Sequence, residues 1–257
     1  MMRLRLALAA LVWLVPLAVA AATGEKVVAG LSQNRISITA NFVGSEILIF
    51  GAVKREEPMP AGRLDVVVTV QGPSAPVTVR RMAYTYGIWT NQDQVTVDLA
   101  PSFYAVATTA PLTRILSATE DLRNRISIPR AIRSVGAPAT VGDAQLFTDA
   151  LIRLREASEL YLMAEGTVEL TEDTLFRTEV ALPANLIEGA YITRIFLVRN
   201  GTVVDALDTS IVVRKEGLER VLYQLAHQDP VIYALLSLII AIFAGWAASS
   251  VFRYFSA

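Results

Sequence analysis

The chain of 257 residues contains no cysteine. That absence removes disulfides, c-type haem attachment, thiolate metal sites, cysteine nucleophiles and an acylated lipoprotein anchor together. Histidine is confined to His227, which excludes a metal site of several imidazoles, and its place in the juxtamembrane segment two residues before Asp229 favours a polar interfacial role over that of a serine hydrolase's base. Lysine is confined to Lys26, Lys54 and Lys215, which leaves little material for a lysine base or a Schiff base. The net charge is −1 and no long run of one sign occurs, so nothing supports nucleic-acid binding. There is no glycine loop in the strand-to-helix context that cradles phosphate. No cofactor and no metal are implied.

What the chain does have in quantity is apolar sequence at its two ends. Arg3 and Arg5 precede an apolar stretch over residues 6–22, broken by Pro16 and finished with Ala18, Ala20 and Ala22 at alternate positions. This is the order of a secretory signal peptide over residues 1–22, with cleavage expected after Ala20 or Ala22. Residues 231–252 form a second apolar stretch without a charge; at ~1.5 Å per residue it spans ~33 Å and crosses a bilayer. A single transmembrane helix is therefore expected over residues 230–253, with a cytoplasmic tail at 254–257. Arg214, Lys215 and Arg220 outweigh Arg253 across the span and argue for the opposite orientation. A long translocated domain is largely indifferent to such charges, so the signal peptide is expected to place the body in the periplasm and the C-terminus in the cytoplasm.

Between these ends the pattern is mainly β. Ile36, Ile38, Ala40 and Phe42 alternate, residues 64–71 are rich in valine, and further strands are expected at 46–52, 77–83, 95–99 and 103–108. From Pro111 the spacing turns helical, through Leu112, Ile115, Leu116, Leu122 and Ile126. A second helix is expected from Asp143, a plausible N-cap, to about Leu160, with Leu146, Phe147, Ala150, Leu151 and Leu154 on its buried stripe. Strands return after Gly166 at 175–182, 190–198 and 202–213, and Asn200-Gly201 marks a hairpin between the last two. The fold class read from this is an antiparallel, immunoglobulin-like sandwich with an inserted helical segment and a C-terminal transmembrane helix. Its expected parts are a β region at 23–110, a helical segment at 111–160 and a second β region at 161–215. An amphipathic juxtamembrane helix at 216–229 follows, with Leu218, Val221, Leu222 and Leu225 on one face.

Several stretches carry a family likeness: residues 42–52 (FVGSEILIFGA), 87–91 (GIWTN), 101–105 (PSFYA), 175–177 (LFR), 182–185 (LPAN), 189–191 (GAY) and 215–219 (KEGLE). Together they resemble the alphaproteobacterial putative transmembrane protein family, over nearly the whole chain beyond the signal peptide. The resemblance implies an inner-membrane protein of a Gram-negative bacterium and carries no established activity or catalytic residues. It also hints at a transport partner, because such proteins are associated with neighbours resembling sulfite-type anion exporters.

Two sets of residues stand out as candidate contact surfaces. The first is aromatic: Tyr84, Tyr86 and Trp89, with Asn91 and, further on, Tyr104. Tyrosine and tryptophan offer large contact area with a polar tip, which suits partner recognition. The competing reading, and the favoured one for Trp89, is that it plugs the core. The second set is Ser237, Ala241, Gly245 and Ser249, four residues apart along the spanning helix, a small-residue strip that suits close helix packing against a second copy or a polytopic protein. The chain is therefore read as a non-catalytic binding or accessory module in the lipid bilayer, serving a membrane partner such as a transporter. The alternative is a cell-envelope glycan hydrolase using two carboxylates among Asp93, Asp98, Glu165, Glu169, Glu172 and Asp173.

Overall fold

A computed structural model describes residues 24–39, 42–134, 143–215 and 225–255. The residues expected to form the signal peptide, Ala40, most of those expected to form the juxtamembrane helix and the last two residues of the chain lie outside the described residues. In chain order the strands are β1 Glu25–Leu31, β2 Arg35–Ile38, β3 Ser45–Arg55, β4 Leu64–Gln71, β5 Ser74–Thr85, β6 Ile88–Pro101 and β7 Tyr104–Thr108. Four helices follow, α1 Leu112–Ile115, α2 Ala118–Asn124, α3 Ile128–Ala131 and α4 Ala144–Ala157. Then come β8 Tyr161–Glu165, β9 Glu169–Thr171, β10 Leu175–Leu182, β11 Gly189–Arg199, β12 Thr202–Lys215 and the last helix, α5 Pro230–Phe255. The β-rich body with an inserted helical segment and an apolar C-terminal helix is thus observed.

The strands form a four-stranded sheet in the order β1-β3-β10-β9, a six-stranded sheet in the order β2-β12-β11-β4-β7-β8, and a separate two-stranded ribbon, β5-β6. The six-stranded sheet is mixed, because β2 runs parallel to β12 at one edge and β8 parallel to β7 at the other. One continuous apolar core draws on both large sheets and the helical segment. β4 shows the consequence most clearly. It is buried from Leu64 through Val70, Asp65 and Thr69 included, as a mostly apolar strand covered on both faces is.

Local chemistry accounts for the turns. Asn200 and Gly201 both have positive φ, at 52° and 81°, as a two-residue turn of the type favoured in hairpins requires, and β11 pairs with β12 across it. The helical periodicity after Pro111 resolves into three short helices. The Ser117 hydroxyl accepts from the Glu120 N–H at 3.3 Å to start α2, Arg125 ends it in the left-handed conformation, and Pro129 opens α3. Asp143 is the N-cap of α4 as expected, although its side chain makes no capping bond. On α4 the buried stripe is narrower than the sequence pattern implies. Phe147 and Leu151 are buried, while Leu146 and Leu154 are exposed.

The ends of three strands are locked by charge. Glu25, at the start of β1, accepts from Arg55 Nε at 2.7 Å and from Arg199 Nε and Nη2 at 3.0 and 2.8 Å. Arg199 also donates to the Pro60 and Gly62 carbonyls, and Arg55 to Thr174 Oγ1 and the Asp173 carbonyl. Burial alone would raise the Glu25 carboxyl, but hydrogen bonds and charge from Arg199 and Arg55 outweigh it and hold the group below the usual carboxylate range.

Candidate functional site

The ribbon β5-β6 is where the fold departs from a closed sandwich. Its base joins the body: Val95 and Val97 are buried, and α4 packs against both strands. Beyond that base, no residue from 80 to 94 is buried. Taking ~3.3 Å per strand residue, the stretch from Arg80 to the turn is roughly 20 Å long. Tyr86 and Gly87 form the turn with φ of 50° and 87°, the same conformation as Asn200-Gly201, with a tyrosine in the strained first place.

Directly opposed residues of an antiparallel pair share a face, so the register identifies what each side of the tip presents. Tyr84 opposes Trp89, Met82 opposes Asn91, and a bulge separates these pairs from Arg81 opposite Asp93. The Tyr84 and Trp89 rings meet edge to face with centroids 5.4 Å apart and planes at 60°, a favoured aromatic geometry. Both remain mostly in solvent, at 63% and 64% exposure, and Tyr86 at the turn is fully exposed. Ile88 and Met82 extend the apolar surface at 63% and 55%. Behind the tip the Arg81 guanidinium binds Asp93, with Nε to Oδ2 at 3.1 Å, and lies 5.7 Å from the centre of the Phe147 ring of α4. That contact buttresses the ribbon against the helix.

Of the aromatic set read from the sequence, then, Tyr84, Tyr86, Trp89 and Asn91 come together on one projecting hairpin, and Trp89 is not a core plug. Tyr104 does not join them. It is fully buried, and its hydroxyl donates to the Ile126 carbonyl at 2.8 Å, with the Arg125 carbonyl at 3.1 Å. Arg194 donates to the Asn124 and Arg125 carbonyls at 2.8 and 3.1 Å beside it. Burial pushes the Tyr104 phenol up. Tyr104 is an anchor for the helical segment, and the sequence did not separate it from the tip because aromatic type alone carries no direction.

The carboxylates hold structural positions. Glu165 accepts the Leu112 N–H at 2.9 Å, Glu169 pairs with Arg177 at 2.7 Å on the surface, and Asp93 is tied to Arg81. Glu172 and Asp173, both with positive φ, make the turn between β9 and β10. Among the described residues no group of three His, Cys, Asp or Glu side chains is placed to hold a metal ion. A shallow groove of about 820 Å³ crosses the outer face of the four-stranded sheet, where Val28, Phe50 and Leu175 are partly exposed.

Helix α5 contributes the other apolar surface. Its stretch Pro230–Ala248 is long and apolar enough to span a membrane and none of it is buried against the body. On the small-residue strip the Ser237 hydroxyl donates to the Tyr233 carbonyl within the helix at 2.8 Å. A Cβ at Gly245 would meet nothing within 4 Å. Ala241 and Ser249 lie in the same helix.

Among the described residues, a β-rich body followed by one apolar helix long enough to cross a bilayer defines a membrane protein. The chain belongs to the family described as Putative transmembrane protein (Alph_Pro_TM), whose profile matches residues 26–254. Comparison with curated proteins returns no match. Among solved structures the chain is similar to Spo0M, a sporulation control protein from Bacillus subtilis, at 11% identity and a TM-score of 0.28. That similarity covers 80% of this chain and 56% of the other.

Proposed function

We propose that this protein acts by contact and not by catalysis, as a membrane-tethered accessory module whose β-sandwich stands in the periplasm beside an inner-membrane partner such as a transporter. The observation that carries the reading is the hairpin tip. Five large apolar or aromatic side chains, Met82, Tyr84, Tyr86, Ile88 and Trp89, are held in solvent on a ribbon that leaves the core, where a self-contained body would cover or break such a patch. Asp93 and Glu169 are engaged in ion pairs and Glu165 in a backbone bond, which supports a binding role. The apolar leader of residues 1–22 supports export, with the C-terminus in the cytoplasm.

Covalent crosslinking in intact membranes followed by purification tests this. The parent chain is expected to capture an integral membrane protein, and Tyr84→Thr/Trp89→Thr to capture several-fold less. Capture of soluble proteins alone, or equal capture by both chains, would overturn the reading. A periplasm-active reporter inserted among exposed residues 57–59 is expected to function there, and a cytoplasm-active one is not.

A further inference from the structure

The tip has a chemical character that narrows what it touches. None of the eleven residues from Met82 to Gln92, MAYTYGIWTNQ, carries a charge.

 Both edges of a two-stranded ribbon are open, and exposed edges in water are normally guarded by charge. Here charge appears only behind the tip, at Arg80, Arg81 and Asp93, and the Asp93 carboxylate is already taken by Arg81. What remains is an uncharged aromatic end backed by a net positive collar.

We infer that the tip docks into the headgroup–acyl boundary of the bilayer that holds α5, giving the body a second point of membrane contact. The inference rests on reading the tip as the contact surface, and it names lipid as what the surface meets. Three arguments favour lipid. Tyrosine and tryptophan, each with an apolar ring and one polar group, concentrate at membrane interfaces. The collar is complementary to anionic headgroups, since Arg80 is exposed and no acidic side chain lies beyond Asp93 toward the turn. The body is tethered to a bilayer by its own helix, so lipid is present at high effective concentration without a diffusional encounter.

Geometry also limits the depth. The outward N–H and C=O groups of both ribbon strands need hydrogen-bond partners, which the hydrocarbon interior does not provide. An interfacial segment sits about 5–10 Å into the boundary, a depth that takes in Tyr86, Ile88 and the Tyr84–Trp89 pair and leaves the arginines toward the aqueous side.

The chain supplies its own probe. Its tryptophans are Trp13, Trp89 and Trp246, so Trp246→Phe, with Trp13→Phe in the same chain, leaves Trp89 as the sole reporter. The full-length variant is reconstituted into vesicles of neutral and anionic phospholipid, with and without brominated acyl chains. Trp89 emission is expected to lie at short wavelength, to be quenched by brominated lipid and to be shielded from aqueous iodide. Moving the reporter to the turn with Trp89→Phe/Tyr86→Trp is expected to preserve or increase the lipid quenching, and Arg80→Gln to reduce it only on anionic vesicles. An emission typical of exposed indole, quenched by iodide and untouched by brominated lipid at both positions, would overturn the inference. Shielding that appears only with a crosslinked protein, and without lipid quenching, would also overturn it while leaving the proposed accessory role intact. Lipid quenching in a chain that captures no membrane protein would do the reverse.

Discussion

Tyr104, Tyr161 and Tyr191 in the sandwich and Tyr84 and Tyr86 on the hairpin are the same residue put to opposite uses. The first three are buried, and each hands its hydroxyl to a backbone carbonyl: Ile126, Pro101 and Ile187, at 2.8, 2.9 and 2.9 Å. Burial raises all three phenols, that of Tyr161 to about 12. The hairpin pair stays in solvent, and Tyr84 is braced by a neighbouring ring instead of a packed core. The difference teaches that a buried aromatic is placed by what its polar atom can reach, whereas an exposed one is placed by its cross-strand partner. Substitutions in the body should therefore show up in stability, and substitutions at the tip should show up in contact.

The largest expected effect is at the Glu25 cluster. Removing one member of a buried ion pair typically costs about 3–5 kcal/mol, so Glu25→Ala is expected to lower the midpoint of thermal unfolding sharply and reduce accumulation of the protein. The pH dependence has a definite sign. Because the folded carboxyl titrates below its ordinary value of 4.5, its contribution is fully present above that value and is lost as the pH falls through the folded value. Unfolding midpoints measured from neutral to acid pH should converge between parent and Glu25→Gln at the acid end; a constant gap would break the assignment.

Next come the aromatic anchors. Tyr104→Ala is expected to cost about 3–5 kcal/mol, as for a truncated core aromatic. Tyr104→Phe is expected to cost about 1–3 kcal/mol, because the carbonyl at Ile126 loses its buried donor. Denaturant titration of the two variants measures both terms. Gly51→Ala is expected to fall at about 1–3 kcal/mol, since a Cβ there would meet the Phe176 ring and the Val28 carbonyl at 2.5 Å. An unchanged midpoint would show that the four-stranded sheet yields more easily than its packing indicates.

Much of this architecture was legible in the sequence. Valine in residues 64–71 and the Asn200-Gly201 turn announced the centre of the six-stranded sheet, and the apolar run near the C-terminus announced α5. The ribbon was harder to read. Tyr86-Gly87 is a hairpin turn without the usual asparagine or aspartate at its first position, so strands expected at 77–83 and 95–99 were not seen to extend through the aromatic stretch as β5 and β6. The alternation of Met82, Tyr84 and Tyr86 with small or polar neighbours, followed by glycine, was the available signal. The strands β1 and β8 escaped for a different reason. β1 is fixed by distant partners, Arg199 to Glu25 and Asp205 to the Val27 N–H at 2.7 Å, and β8 pairs parallel to β7 across the helical segment. Neither constraint is local. The direction of the tyrosines likewise depends on contacts far apart in the chain, such as Tyr104 with Ile126.

The most direct test of the contrast between body and tip is thermal unfolding of full-length Tyr84→Thr/Trp89→Thr beside Tyr104→Ala, in the same detergent. Threonine keeps strand propensity, so the double variant loses the exposed ring pair and little else, about 0.5–1.5 kcal/mol. At about 2–4 °C per kcal/mol for a domain of this size, its midpoint is predicted to stay within a few degrees of the parent while Tyr104→Ala falls well below both. A double variant that unfolds as early as Tyr104→Ala would contradict the account, because the tip would then be part of what holds the body together.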